Sequence, residues 1–135
     1  MTRTKDHLQR LDQDECMTLL AGHPTKVGRL AFVDQDYPIV LPVNFRVHRG
    51  SVVFRSDTGS KYMAAAMGQK VAFEVDDVDE AWQEGWSVLI QGMCHEITDP
   101  HQLKLIDGIG LNAWAGANMH TLEILHHRIT GRRIV

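Results

Sequence analysis

The polar and apolar positions of the chain follow two periods. From Leu11 to Gly22 apolar residues recur at helical spacing, with Cys16, Leu19 and Leu20 on one face. Asp12 and Glu15 form a capping box in which Asp12 accepts from an orphan N–H and Glu15 reaches back, while Gly22 offers a left-handed stop. A period of two follows. Val27 to Val33 reads as a strand, Asp34 to Pro38 as a turn whose chemistry comes from Asp and Pro, and Ile39 to Val47 as the cleanest strand. There Ile39, Leu41, Val43, Phe45 and Val47 alternate with Val40, Pro42, Asn44 and Arg46. Arg49 and Gly50 turn the chain into Ser51 to Ser56, which completes a hairpin.

A short helix follows over Tyr62 to Met67, stopped by Gly68. Val71 to Val75 returns to strand, Asp76 to Glu84 reads as a solvated acidic loop, and Trp86 to Ile97 is a long strand with a bulge or corner at Gly92. Thr98 or Asp99 caps a helix through Leu103 and Ile106 that Gly108 and Gly110 end. After a loop around Trp114 and Gly116, Thr121 to Ile129 is the last strand, and Gly131 to Val135 is the tail. About six strands and three short helices, joined by several hairpin-length links, exclude a doubly wound parallel sheet. They predict a mostly β fold, a small antiparallel barrel, as one domain over residues 1–135.

Composition narrows the function classes. The chain has 135 residues, 44% hydrophobic, with a net charge of −3, which argues against general affinity for nucleic acid. No apolar run spans a bilayer and the first ten residues lack the apolar stretch of a secretory signal, so a cytoplasmic address without membrane contact is expected. Cys16 and Cys94 read as buried thiols. The charge is unevenly spread: Arg46, Arg49, Arg55, Lys61 and Lys70 face only Asp57 between Tyr37 and Phe73, whereas Glu74 to Leu103 holds eight acids and no Lys or Arg. A basic stretch in an acidic protein suits one small anion.

No glycine-rich dinucleotide fingerprint, phosphate loop, nucleophile elbow or zinc-protease helix is present: Asp99 stands where the motif begun by His95 and Glu96 requires a second His. No metal is expected, since the histidines are scattered and the adjacent His126 and His127 point to opposite faces of a strand. One segment has the make-up of a phosphate cradle, with Arg55 and Ser56 ending a strand and Ser60 and Lys61 opening a helix. An ordinary capped turn accounts for the same residues equally well. Pro42 and Asn44 share the polar face of their strand, where a proline interrupts pairing; either a flat heterocycle rests there or the proline guards an edge. Trp86 and Ser87 open the long strand, and Trp86 suits a core place as well as a cofactor contact.

Read together, these segments resemble the pyridoxamine 5′-phosphate oxidase-like family of flavin-binding split barrels, in its small single-domain branch. The resemblance rests on the opening helix followed by Val27 to Ala31, on Ile39 to Phe45, Val53 to Lys61, Ala72 to Val75, Gly85 to Gly92 and Thr130 to Ile134. It implies a six-stranded antiparallel split barrel that acts as a homodimer, with FMN in a groove between the barrels. By position, Arg55, Ser56, Ser60 and Lys61 would hold the FMN phosphate; Pro42, Val43 and Asn44 would lie along the ring; Trp86 and Ser87 would meet it from the long strand. Arg132 and Trp114 are further candidates from the partner subunit. The implied activity is an FMN-dependent oxidoreductase exchanging a hydride at flavin N5 with a small-molecule substrate, with no obligatory catalytic side chain, although Arg46 or His48 would be placed to shuttle a proton. The alternatives are the deazaflavin F420 as cofactor, a non-catalytic flavin carrier or sensor, and a haem-binding dimer. The extra basic and tyrosyl residues and the C-terminal segment of authentic pyridoxamine phosphate oxidases have no counterpart, and Arg55 replaces the His of nitroimidazole-reductase relatives.

Overall fold

The computed structural model describes residues 8–23, 25–57, 61–111 and 119–134. Its elements are β1 (Leu8–Leu11), α1 (Gln13–Gly22), β2 (Val27–Asp34), β3 (Tyr37–His48), β4 (Ser51–Asp57), α2 (Lys61–Ala66), β5 (Lys70–Asp79), β6 (Glu84–Glu96), α3 (Pro100–Asp107) and β7 (Met119–Ile134). All strand pairs are antiparallel, in the order β1-β7-β4-β3-β2-β5-β6, and β6 pairs again with β7. Six strands therefore close on themselves as a barrel, and β1 lies outside the ring, along β7. The same side of β7 meets β4 from Met119 to Ile124 and β1 from Gly131 to Ile134, so β1 takes up the edge where β4 has ended.

Inward positions of the alternating strands fill the interior. Leu30, Phe45, Phe54, Phe73, Val75, Ile90, Leu122 and Ile124 are buried, with Phe45 edge-on to Phe73 at 5.2 Å. Where β4 parts from β3, α1 packs against β3 and β7 and buries Cys16 and Leu20. The capping box is present: Asp12 Oδ1 accepts from Glu15 N at 2.8 Å, and Glu15 Oε1 accepts from Asp12 N at 3.3 Å. On the outside, α3 sits over a second small core of Val53, Ile97, Ile106 and Leu111. Gly92 marks the bulge, where the β6–β7 register shifts between Gln91 and Gly92 and a Cβ would lie 2.2 Å from the Leu125 carbonyl.

Several local expectations are corrected. Gly22 is the last helical residue and the cap is the extended His23, so no left-handed stop forms. The β2–β3 turn is made by Gln35 and Asp36, both with positive φ, and Pro38 already pairs with Val33. The acidic segment is mostly strand, with Asp76 to Asp79 paired to Ser87 to Glu84; outward carboxylates on a hairpin arm carry no apolar alternation, which is why it read as loop. The tail through Ile134 is likewise strand, held by β6 and β1. Arg49 and Gly50, both at positive φ, form the expected tight turn, and Gly68 stops α2 at φ +80°. The Trp114 loop lies outside the described residues.

Candidate functional site

The outer face of the barrel, uncovered among the described residues, gathers part of the residues singled out in the sequence. Phe45 N donates to the Lys26 carbonyl at 2.9 Å, so odd-numbered residues of β3 turn their N–H groups toward β2. Pro42 therefore lacks its N–H on the other side, where pairing with β4 begins only at Phe45, and the β2 ladder runs unbroken past it. The proline guards an edge and leaves its ring on an exposed surface. Asn44 lies opposite Val27, and Pro42 opposite Arg29. Arg29 in turn lies opposite Glu74, and Asp76 opposite Ser87. The Arg29 guanidinium spans these rows, with Nη1 donating to Glu74 Oε1 at 3.1 Å and to Asp76 Oδ2 at 3.2 Å. Pro42, Asn44 and Ser87 thus share one face, with a clamped carboxylate pair between them.

Glu74 was not singled out as a site residue in the sequence. Burial, and next the hydrogen bond and charge of Asp76, push its carboxyl up to about 7 against the opposing pull of Arg29. Alternate outward positions on β5 are the signal that could have found it. On the same face, a groove of about 710 Å³ is lined by Ala31, Val33, Pro38, Ala72 and Met93 among others.

Val43 and Trp86 point the other way. Val43 is buried in the core, and Trp86 packs against the core with its ring edge-on to His23 at 5.4 Å. His23 Nδ1 accepts from Thr25 N at 3.2 Å, which leaves Nε2 to donate to the Asp76 carbonyl at 3.1 Å. Both thiols are buried and free, and burial raises each, Cys94 to about 11. Thiolate chemistry is thereby disfavoured.

On the cradle segment, Arg55 and Ser56 emerge on opposite faces of β4. Ser56 is buried. Arg55 reaches outward to the end of α3: Nε donates to Thr121 Oγ1 at 3.2 Å, Nη1 to the Leu111 carbonyl at 3.2 Å, and Nη2 to Asp107 Oδ1. Arg46 Nη2 donates to the Gly110 carbonyl at 3.1 Å, and His48 Nε2 meets Gln102 Oε1 at 3.0 Å. The two groups considered for proton transfer thus hold the α3 segment. Lys61 is the first residue of α2, while Ser60 and Trp114 lie outside the described residues. Arg132 stands on β7 opposite Ser87 on β6. Among the described residues no group of three His, Cys, Asp or Glu side chains could hold a metal, and no helix is long and apolar enough to cross a membrane.

A family model described as pyridoxamine 5′-phosphate oxidase matches residues 12–133. The uncharacterized protein Rv0080 of Mycobacterium tuberculosis is 36% identical over 131 residues, which cover 93% of this chain and 84% of that protein. Among solved structures, the FAD binding protein from Mycobacterium smegmatis superposes with a TM-score of 0.81 at 31% identity, covering 93% of this chain and 98% of its own. An FAD-binding protein from Mesorhizobium loti shares the fold, with a TM-score of 0.75 at 23% identity over 95% of this chain and 99% of its own.

Proposed function

Since the chain belongs to the pyridoxamine 5′-phosphate oxidase family, we propose that it is a flavin-dependent oxidoreductase that works as a homodimer, with FMN as cofactor and a small molecule as substrate. When bound, the flavin supplies two-electron chemistry, accepting or donating a hydride at N5. The observation that carries this reading is the shared outer face of Pro42, Asn44 and Ser87, where the proline ring and an amide on β3 look across β2 and β5 to a hydroxyl on β6. Such a set suits a flat heterocycle with a polar rim. Val43 and Trp86 act from beneath, fixing the strand positions from which Asn44 and Ser87 project.

The phosphate would be met by Ser60, Lys61 and the first amides of α2, with buried Ser56 at the strand end. Arg55 fits this cradle through one donor. Its Nε and Nη1 stay on Thr121 and Leu111, while Nη2 can exchange the exposed Asp107 carboxylate for a phosphate oxygen. The similar solved structure named as FAD binding supports a flavin here; FMN and FAD share the ring, ribityl chain and first phosphate that these residues would hold.

The test is a visible spectrum of the purified chain and the mass of the chromophore released on denaturation. Flavin absorption with the mass of FMN is expected. The mass of FAD or F420 would replace the cofactor, a Soret band would indicate haem, and no flavin uptake on reconstitution would overturn the reading.

A further inference from the structure

Three arginines meet on the outer side of β1 and β7, away from the proposed cradle. Arg10 on β1 stands directly opposite Arg132 on β7, and Arg128, on the same side of β7, stands opposite Gln91 of β6. The spacing of Arg128, Thr130 and Arg132 places all three on one face. Together with Arg10 they line a pocket of about 370 Å³, whose other contributors include Gln91 and Gly131. Among the described residues no carboxylate lines it. Among the described residues, the ion pairs of the protein involve Arg29 and Arg55 but none of these three.

This arrangement has a cost. Like charges directly opposite on neighbouring strands repel, and solvent screens Arg10 and Arg132 only partly at cross-strand distance. An anionic group between them converts that repulsion into paired, charge-assisted hydrogen bonds, with the Thr130 hydroxyl and Gln91 amide as neutral donors. The pocket is larger than a phosphate or carboxylate group needs. It shares Gln91 and Arg128 with the apolar groove of about 710 Å³ on the same face, so an apolar body attached to the anion has somewhere to be buried. Three cations beside an apolar groove match a small amphipathic anion better than an extended polyanion, which needs a longer basic track.

We propose that Arg10, Arg128 and Arg132 form an anion-binding pocket for the phosphate or carboxylate group of a small molecule whose apolar part lies in the adjoining groove. The pocket is built from β1, β6 and β7 and stands whether or not the chain binds flavin. Arg10 and Arg132 clasp the anion from two strands, and Arg128 sits where pocket and groove meet.

Phenyl phosphate, benzoate and the neutral benzyl alcohol serve as probes, followed by calorimetry and thermal melting of the full chain at constant ionic strength. Phenyl phosphate or benzoate is expected to bind and raise Tm, whichever binds more tightly identifying the head group, while benzyl alcohol does neither. Arg132→Gln and Arg128→Gln should each weaken binding about tenfold or more. Arg132→Gln should also melt slightly higher than the parent in chloride buffer, because it relieves the Arg10 repulsion, yet lose the ligand-induced rise. Lys61→Gln, which alters only the proposed flavin cradle, should bind the probes as the parent does. Absence of binding by both anions overturns the proposal. So does undiminished affinity in the Arg128 and Arg132 variants, and loss of binding in Lys61→Gln would assign the anion to the cradle instead.

Discussion

Glu74 projects from the middle of β5 beside Asp76, and one guanidinium nitrogen of Arg29 serves both carboxylates. A single cation cannot fully compensate two acids, and burial tips the balance so that the Glu74 carboxyl holds its proton to about 7. The folded state therefore binds this proton more tightly than the unfolded chain. The stability it contributes is complete below the ordinary value of 4.5 and is lost as pH rises through about 7. Glu74→Gln, which keeps the shape without the charge, should match the parent in Tm near pH 4.5 and melt above it at pH 8. Thermal scans across that interval check the sign, and a parent that gains stability relative to the variant on going to pH 8 would contradict it. Glu74 lies one strand from Ser87, one from Arg29 and two from Pro42, so the same proton sits within the face proposed for the flavin ring.

Arg46 and Arg55 show how an element can redirect residues that the sequence offers as ligands. The basic segment between Tyr37 and Phe73 suits an anion when read locally, yet two of its arginines grip the end of α3 through the Gly110 and Leu111 carbonyls and Asp107. Arg55→Gln should therefore cost about 1–3 kcal/mol, the penalty for leaving buried partners unmet, whereas Lys61→Gln should weaken FMN binding and leave stability within about 0.5 kcal/mol. Denaturant titration of both variants, set beside their FMN affinities, separates Arg55, which holds α3 and offers the proposed cradle one donor, from Lys61, which is proposed to serve the cradle alone. The same contrast explains what was legible in the sequence. Strands with one buried face, such as β3 and the Val71 to Val75 part of β5, announce themselves by alternation, and the Arg49–Gly50 turn by its glycine. The Asp76 to Asp79 arm does not, because its partner is another exposed strand end. β1 contributes one buried residue, Leu11, which is too little for any periodic signal. Pro42 and Asn44 were visible as oddities on a polar face. Arg10 and Arg132 were not visible as a pair, since only the docking of β1 on β7 brings the two ends of the chain together.

Across the whole molecule, the distribution of covered and uncovered surface argues for a second copy. α3 covers the outer side of β4 over Val53, and α1 closes the gap beside β3, but the outer side of the β2–β3 hairpin has no cover among the described residues. Val33 and Val40 are 53% and 61% exposed there, beside the groove walled by Ala31, Pro38 and Met93. Apolar side chains grouped on one strand pair, next to a groove, mark an interaction surface. A barrel of this size also has little interior to spare for a flavin, because its inward positions are filled by Phe45, Phe54 and Phe73. On the proposed reading the ring rests on the outside, and a second barrel laid on the hairpin would supply the wall that keeps water from it. Sedimentation analysis is expected to give twice the 15.2 kDa of the chain. Val40→Glu sets a charge on that outer face at a position where the fold leaves the side chain exposed, so the barrel should stay folded by circular dichroism while the dimer dissociates. If the flavin is shared between barrels, the same variant should bind FMN at least tenfold more weakly, although Val40 itself is not one of its proposed contacts. A monomeric parent, or a monomeric variant with unchanged FMN affinity, would place the complete cofactor site within one barrel.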